Sequence, residues 1–392
     1  MEPSSETQLK SSGLAFQAIE QEIAGEVLGN TYLADLAYDA QGQPVDSTLS
    51  SAAIGPDGKN YGGLFDLYSD PADASYRLDC NLPAAKLLDW FTDAATCEQS
   101  IYVYNAPPGQ TAGLIPSLQA AGYTVSTFPY DWRGDITLLA DNLATRIIGL
   151  AKQTPSGTVA IVAHSMGGLV VGEALYRHGA ELNGLIQSIT TLGAPWLGSV
   201  DTYSDFRAWD TILLNILTPQ QTQEIGGNWT AAYELLPQQS FVSLIAGTPT
   251  VLSIYQGTFS SELPALPRAV GAYNALDGAV ALWGNLAEVE PLGNAFTIVG
   301  SGYNTPISVV ETTPGCLVGV YGNGDGEVTI GSATGGVWAA QGNTWYVLSS
   351  HAGLPANGAA IAAIEQILQG QVPNLSRAPF EAPGGVTNCL PL

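Results

Sequence analysis

Thr158-Val159-Ala160-Ile161-Val162-Ala163-His164-Ser165-Met166-Gly167-Gly168 is an apolar run that halts at a serine among small residues and continues into Leu169-Val170-Val171-Gly172-Glu173-Ala174-Leu175. A strand, a sharp turn and a helix, with the Ser165 hydroxyl at the turn, have the layout of a nucleophile elbow. Small residues are needed there because strand and helix backbones nearly touch. Ala163 stands in for the usual first glycine at little steric cost.

Outward from this segment the chain alternates strands and helices. Before it come strand Ile101 to Tyr104, loop Asn105 to Gln110, helix Leu114 to Ala121, strand Thr124 to Phe128 and helix Ile136 to Lys152. In the last of these, Ile136, Leu139, Leu143, Ile147 and Leu150 fall on one face at helical spacing. After it come strands Ile186 to Leu192, Phe296 to Val299, Leu317 to Tyr321 and Trp345 to Leu348, and a closing helix Ala359 to Leu368. Alternation of this kind predicts an α/β fold, a parallel sheet covered by helices on both faces.

Two stretches interrupt the pattern. Residues 201 to about 290, mixed and rich in Trp, Tyr, Leu and Pro, read as an inserted cap. Between Cys80 and Cys97 a short amphipathic segment carries Trp90 and Phe91, read either as a core-facing helix or as a lid meeting acyl chains. Residues 1–75 form an N-terminal extension with one amphipathic stretch, Leu14 to Val27, and no assigned role; residues 76–392 are expected to form the main domain.

At 392 residues the chain is long enough for one large domain with insertions. Eleven Lys and Arg against 35 Asp and Glu give a formal charge of -24, so a nucleic acid or an anionic membrane would meet long-range repulsion. A neutral or weakly charged substrate fits better. The four cysteines, Cys80, Cys97, Cys316 and Cys389, are too dispersed for a compact metal site. Their even number suggests two disulfides, of which Cys80–Cys97 with Cys316–Cys389 is the simplest of three connectivities; four buried free thiols are the alternative. Disulfides point to an extracellular or other oxidising compartment. Met1 to Ser5 lacks the basic start and apolar stretch of a signal peptide, and no window reaches the length of a membrane span. No metal and no cofactor are expected.

A serine hydroxyl is a weak nucleophile until a base removes its proton, and the usual base is a histidine oriented by a carboxylate. With three histidines in the chain, elimination is informative. His164 adjoins Ser165 in the elbow, where the turn is expected to send neighbouring side chains apart. His178 lies thirteen positions along the following helix, roughly 20 Å away at ~1.5 Å per residue. His351 follows strand Trp345 to Leu348 directly and so sits at a strand's C-terminal edge, the ligand side of α/β sheets. The acid should fall between Ser165 and His351 in chain order. Asp325, in the glycine-rich Gly322-Asn323-Gly324-Asp325-Gly326-Glu327, is the candidate, with Glu327 second. A plain turn or a calcium loop of Asn323, Asp325 and Glu327 are the alternatives, though Thr334 occupies the twelfth position where an EF-hand needs an acid. For the oxyanion, the N–H of Met166 at the helix start is one expected donor. Gln110 or Thr111, after Pro107-Pro108-Gly109, offers the other, with Gln110 preferred.

With these residues assembled, the chain resembles the lecithin:cholesterol acyltransferase family, which includes related phospholipases A. Four motifs carry the likeness: Phe128-Pro129-Tyr130-Asp131-Trp132-Arg133, Ala163 to Gly168, Gly193-Ala194-Pro195-Trp196-Leu197-Gly198-Ser199, and Gly324-Asp325-Gly326-Glu327-Val328. The resemblance implies an α/β-hydrolase fold with cap and lid insertions, a triad of Ser165, Asp325 and His351, an oxyanion donor at Gln110, a lid loop closed by Cys80–Cys97, and a disulfide Cys316–Cys389. It also implies a lipid ester substrate with transient contact at a lipid interface, attacked through an acyl-enzyme that passes to water or an alcohol. The family's early Pro-Gly-x-x-Gly-Ser motif is not found ahead of Cys80. A soluble carboxylesterase or polyester depolymerase, and a non-catalytic binding module on the same fold, are the other readings.

Overall fold

The computed structural model describes residues 92–93, 98–99, 113–128, 130, 134–203, 229–238, 241–245, 248–252, 270–289, 293–313, 316–336, 342–386 and 390–391. The expectations for residues 1–75, the strand at 101–104, Trp90, Phe91, Gln110, Cys80, Cys97 and Cys389 lie outside them.

In chain order the elements are β1 (Thr92–Asp93), β2 (Glu98–Gln99), α1 (Leu114–Ala120), α2 (Ile136–Ala151), β3 (Val159–His164), α3 (Met166–Leu182), β4 (Ile186–Leu192), α4 (Thr230–Glu234), β5 (Phe241–Ile245), β6 (Thr248–Leu252) and α5 (Val270–Ala287). They continue with β7 (Ala295–Ser301), β8 (Tyr303–Thr313), β9 (Cys316–Gly324), α6 (Ile330–Ala333), β10 (Thr344–Leu348), α7 (Gly358–Leu368), β11 (Gly385–Val386) and β12 (Leu390–Pro391).

Among the described residues the central sheet has the order β10-β7-β4-β3, and every pairing in it is parallel. Parallel strands must be covered on both faces, and they are. On one face, Ile136, Leu139, Leu143 and Ile147 of α2 pack with Leu169, Val170 and Val171 of α3 and Leu282 and Leu286 of α5. On the other, Leu114 and Leu118 of α1 and Ile361 and Ile364 of α7 cover Leu192, Ile298 and Val347. The expected class, α/β with a parallel sheet covered by helices on both faces, is the class observed.

Two strands depart from expectation. Residues 124–128 are not a strand: no ladder bond holds them among the described residues. Leu317 to Tyr321 is a strand, but not of the parallel sheet. It belongs to β9, which runs antiparallel to β8 in a separate sheet with β11 and β12. An apolar run marks a strand without stating the direction of its partner, and β8 itself was not foreseen.

That hairpin has a positional consequence. β8 leaves the end of β7 through Gly302 at φ 92, and β9 returns until Gly324 pairs with Tyr303. Asp325 is thereby delivered to the C-terminal end of β7. Ser165 follows β3, Gly193 follows β4, and His351 lies just beyond β10, so one edge of the sheet collects all four.

Helix α2 begins on acidic groups. Asp135 accepts from the Thr137 amide at 2.7 Å, and Glu234 of α4 accepts from the Ile136 amide at 2.9 Å. These are two of the four amides a helix start leaves without an internal partner. Glu234 is 1% exposed, and burial, reinforced by the charge of Asp135, raises its carboxyl well above the usual range.

Candidate active site

Ser165 sits between β3 and α3 at φ 53 and ψ -132, the one non-glycine with positive φ among the described residues. A side chain tolerates that conformation only when its surroundings impose it. Here the Ser165 amide donates to Leu192 O at 2.9 Å, and the helix starts at once behind it. Gly168 supplies the required closeness, since a Cβ there would lie 2.4 Å from Ala194 Cβ.

The Ser165 Oγ is 2.7 Å from His351 Nε2, and His351 Nδ1 is 2.8 Å from Asp325 Oδ2. His351 and Asp325 are 5% and 1% exposed. The other carboxylate oxygen of Asp325 accepts from the amides of Glu327 at 3.1 Å and Val328 at 2.7 Å. Both oxygens are therefore committed within the protein, and the loop is held as a tight turn, with the Asp325 amide donating to Val328 O. Burial alone would pull the His351 imidazole down, but the hydrogen bond and charge of Asp325, with Glu327 and Asp201 beyond, outweigh it and raise the pKa.

Glu327, the second candidate acid, is on the other side of the ring. Its Oε2 is 3.7 Å from His351 Nε2 and its side chain is 56% exposed. It faces the nitrogen that faces Ser165, not the one an orienting acid must hold.

His178 is where it was expected to be, away from the serine. Its Nε2 lies 2.7 Å from Asp141, which also takes a two-pronged ion pair from Arg177. His164 differs from expectation. The turn does not send it away from the site: its Nε2 is 3.0 Å from the backbone oxygen of His351, and the two rings lie 4.8 Å apart. The contact spans 187 residues, so nothing in the local pattern announces it.

Gly193 is a second position that motif reading did not single out for the site. A Cβ there would lie 2.9 Å from Asp325 Oδ2 and 3.3 Å from His351 Nδ1, and φ is 56. A side chain would collide with the hydrogen bond between acid and histidine. The signal was available, since Gly193 opens the Gly-Ala-Pro-Trp motif directly after an apolar strand. Residues of that motif also reach the acid loop and the helix after it: Ser199 Oγ donates to Glu327 O at 2.6 Å, and Ser332 Oγ of α6 donates to Gly198 O at 2.7 Å.

Met166 is the first residue of α3 and 7% exposed, so its amide is among those a helix start leaves without an internal partner. Among the described residues no group of three or more His, Cys, Asp or Glu is arranged to hold a metal ion. Chemically, the arrangement is a hydroxyl in contact with an imidazole whose far nitrogen is held by a buried carboxylate. It can take a proton from the hydroxyl and hold the resulting charge.

Solved structures are similar to part of the chain, two of them as follows. One is the crystal structure of the Tle4–Tli4 complex, at 16% identity and a TM-score of 0.35, covering 46% of this chain and 46% of that one. The other is the lipase BlEst2 of Bacillus licheniformis in mature form, at 18% identity and a TM-score of 0.28, covering 48% and 57%. The chain thus spans about half the length of the solved structures it matches. No curated protein matches the sequence significantly. Residues 107–255 match the model of the lecithin:cholesterol acyltransferase family, which bears out the resemblance carried by the motifs at 128–133, 163–168 and 193–199.

Proposed function

We propose that the protein is a serine acyl-ester hydrolase acting on lipid esters, with an acyl-enzyme on Ser165. His351 takes the Ser165 proton as Oγ attacks the ester carbonyl, and the tetrahedral oxyanion is held by the Met166 amide and a second donor at Gln110. His351 then gives the proton to the departing alcohol oxygen as that C–O bond breaks. Water, deprotonated by the same imidazole, attacks the acyl carbonyl; the bond to Ser165 Oγ then breaks as His351 returns the proton to that oxygen, releasing the acid and free Ser165. An alcohol in place of water gives acyl transfer with the same balance. Asp325 fixes the tautomer of His351 and stabilises its charged form.

The observation that carries this reading is the hydrogen-bond chain from Ser165 Oγ through His351 to Asp325 at 2.7 and 2.8 Å. The family match over residues 107–255 supports ester chemistry on lipid. In the proposed layout Trp90 and Phe91 belong to a lid at 80–97, and of the stretch 201–290 read as a cap the part ahead of α5 covers the acyl chain, because Leu282 and Leu286 of α5 pack on the sheet. The proposal includes a Cys316–Cys389 bond, implied by the family resemblance, and with it an oxidising compartment. Among the described residues no helix is long and apolar enough to cross a membrane.

The test is a panel of phospholipid, glyceride, sterol ester and short soluble esters, with products identified by mass spectrometry for the native protein and Ser165→Ala. Release of fatty acid by the native protein alone, rising above the critical micelle concentration, is the expected result. Equal turnover by the Ala variant overturns the serine mechanism; turnover of soluble esters only overturns the lipid assignment.

A further inference from the structure

His351 has a distance to cover. β10 and β3 are at opposite edges of the described four-stranded sheet, with β7 and β4 between them. At ~4.7–4.9 Å per strand spacing this is about 14 Å. The loop after β10 must carry His351 over two strand ends and present its Nε2 to Ser165 within hydrogen-bond reach. A loop that crosses such a gap needs anchors, because misplacement by about 1 Å can cost ~10²-fold in rate.

Besides the local turn bond from the Leu354 amide to its carbonyl at 3.2 Å, the main chain of His351 has two anchors outside its own loop. Its amide donates to the Asp325 carbonyl at 2.8 Å. Its own carbonyl accepts from His164 Nε2 at 3.0 Å, and the His164 ring lies against the His351 ring at 4.8 Å between centroids. A carbonyl can only accept, so Nε2 of His164 carries the hydrogen. His164 is the residue before the nucleophile and the last of β3. The histidine loop is thus fastened to the strand that carries the serine.

We propose that His164 is a positioning residue for this site: its Nε2–H holds the His351 carbonyl and thereby sets the approach of the His351 imidazole to Ser165 Oγ. This rests on the reading of Ser165 and His351 as nucleophile and base. The environment of His164 suits the role. Burial, with the nearby charge of His351, pulls its pKa down to about 3, so it remains a neutral donor at working pH and adds no second positive charge beside the imidazolium. Among the described residues the titratable groups acting on His351 are Asp325, Glu327, Asp201 and His164.

The experiment compares His164→Phe, which keeps a ring of similar size without the donor, with His164→Gln, which keeps an N–H at comparable reach. The readouts are kcat and KM on a soluble p-nitrophenyl ester, the rate of fluorophosphonate labelling of Ser165, and Tm. For the Phe variant we expect kcat and labelling to fall together by about 10–10²-fold with KM little changed, and for Gln recovery of most of that loss. A Phe variant with native kcat and labelling rate overturns the proposal, as do equal losses in Phe and Gln or a loss confined to Tm. A second measurement needs no variant. Histidine NMR of the native protein between pH 5 and 9 should show one ring held as the Nε2–H tautomer without titrating, and titration of His164 near its ordinary pKa overturns the assignment. Because the NMR readout is independent of turnover, a failure of the serine mechanism itself, seen as activity in Ser165→Ala, is told apart from a failure of the anchor.

Discussion

Ser165, His351 and Asp325 are linked by two short hydrogen bonds, and each predicts a different loss. Asp325→Asn keeps the shape but leaves His351 free to hold the wrong tautomer, so kcat should fall by about 10³–10⁴-fold. The pH dependence carries a sign. In the proposed mechanism His351 acts when neutral, and its pKa is raised, so the acidic limb of kcat/KM should lie above the ordinary histidine value. Glu327→Gln removes one of the charges that raise it and should move that limb to lower pH. The shift should be small, because Glu327 is 56% exposed and solvent screens it. A limb that moves upward contradicts this placement of Glu327. At this scale the sequence was legible by elimination: a shortage of histidines left His351, and a glycine-rich loop after a strand, in the order serine, acid, histidine, singled out Asp325 with Glu327 second. It did not reveal His164, whose partner is 187 residues away, or the side of the ring that Glu327 faces.

Among the elements, the start of α2 is built on carboxyl groups from two parts of the chain. Glu234 has a folded pKa well above the ordinary carboxyl range because it is buried beside Asp135, so the fold favours its protonated form. Its contribution to stability is therefore present below the ordinary carboxyl pKa and is lost as pH rises toward the folded pKa. Glu234→Gln keeps an acceptor for the Ile136 amide and should raise Tm at pH 8 while leaving it unchanged near pH 4, as read by thermal scans at both pH values. Gly193→Ala tests a different element end. A methyl there would sit 2.9 Å from Asp325 Oδ2, so activity should fall by about 10²-fold or more while the sheet persists by far-UV circular dichroism. The helices and core strands were readable because apolar residues recur at helical spacing or in unbroken runs. The β8–β9 hairpin was not, since an apolar run alone does not reveal that β9 runs antiparallel to β8, and it is the returning strand β9 that delivers Asp325.

For the whole molecule, a formal charge of -24 sets how it meets a surface. Hydrolysis on vesicles rich in anionic lipid should rise several-fold between about 10 mM and 150 mM salt, as the screening length falls from roughly 30 to 8 Å. On neutral vesicles the rate should change little. If anionic vesicles show no salt dependence, charge does not govern the encounter. What remains central is whether Ser165 is the activated nucleophile that the hydrogen-bond chain through His351 and Asp325 implies. The most direct measurement is intact-mass and peptide analysis after treatment with a fluorophosphonate. One adduct per chain, mapped to Ser165, absent in Ser165→Ala and strongly slowed in Asp325→Asn, is the predicted result; a native protein that stays unlabelled, or is labelled elsewhere, contradicts the account.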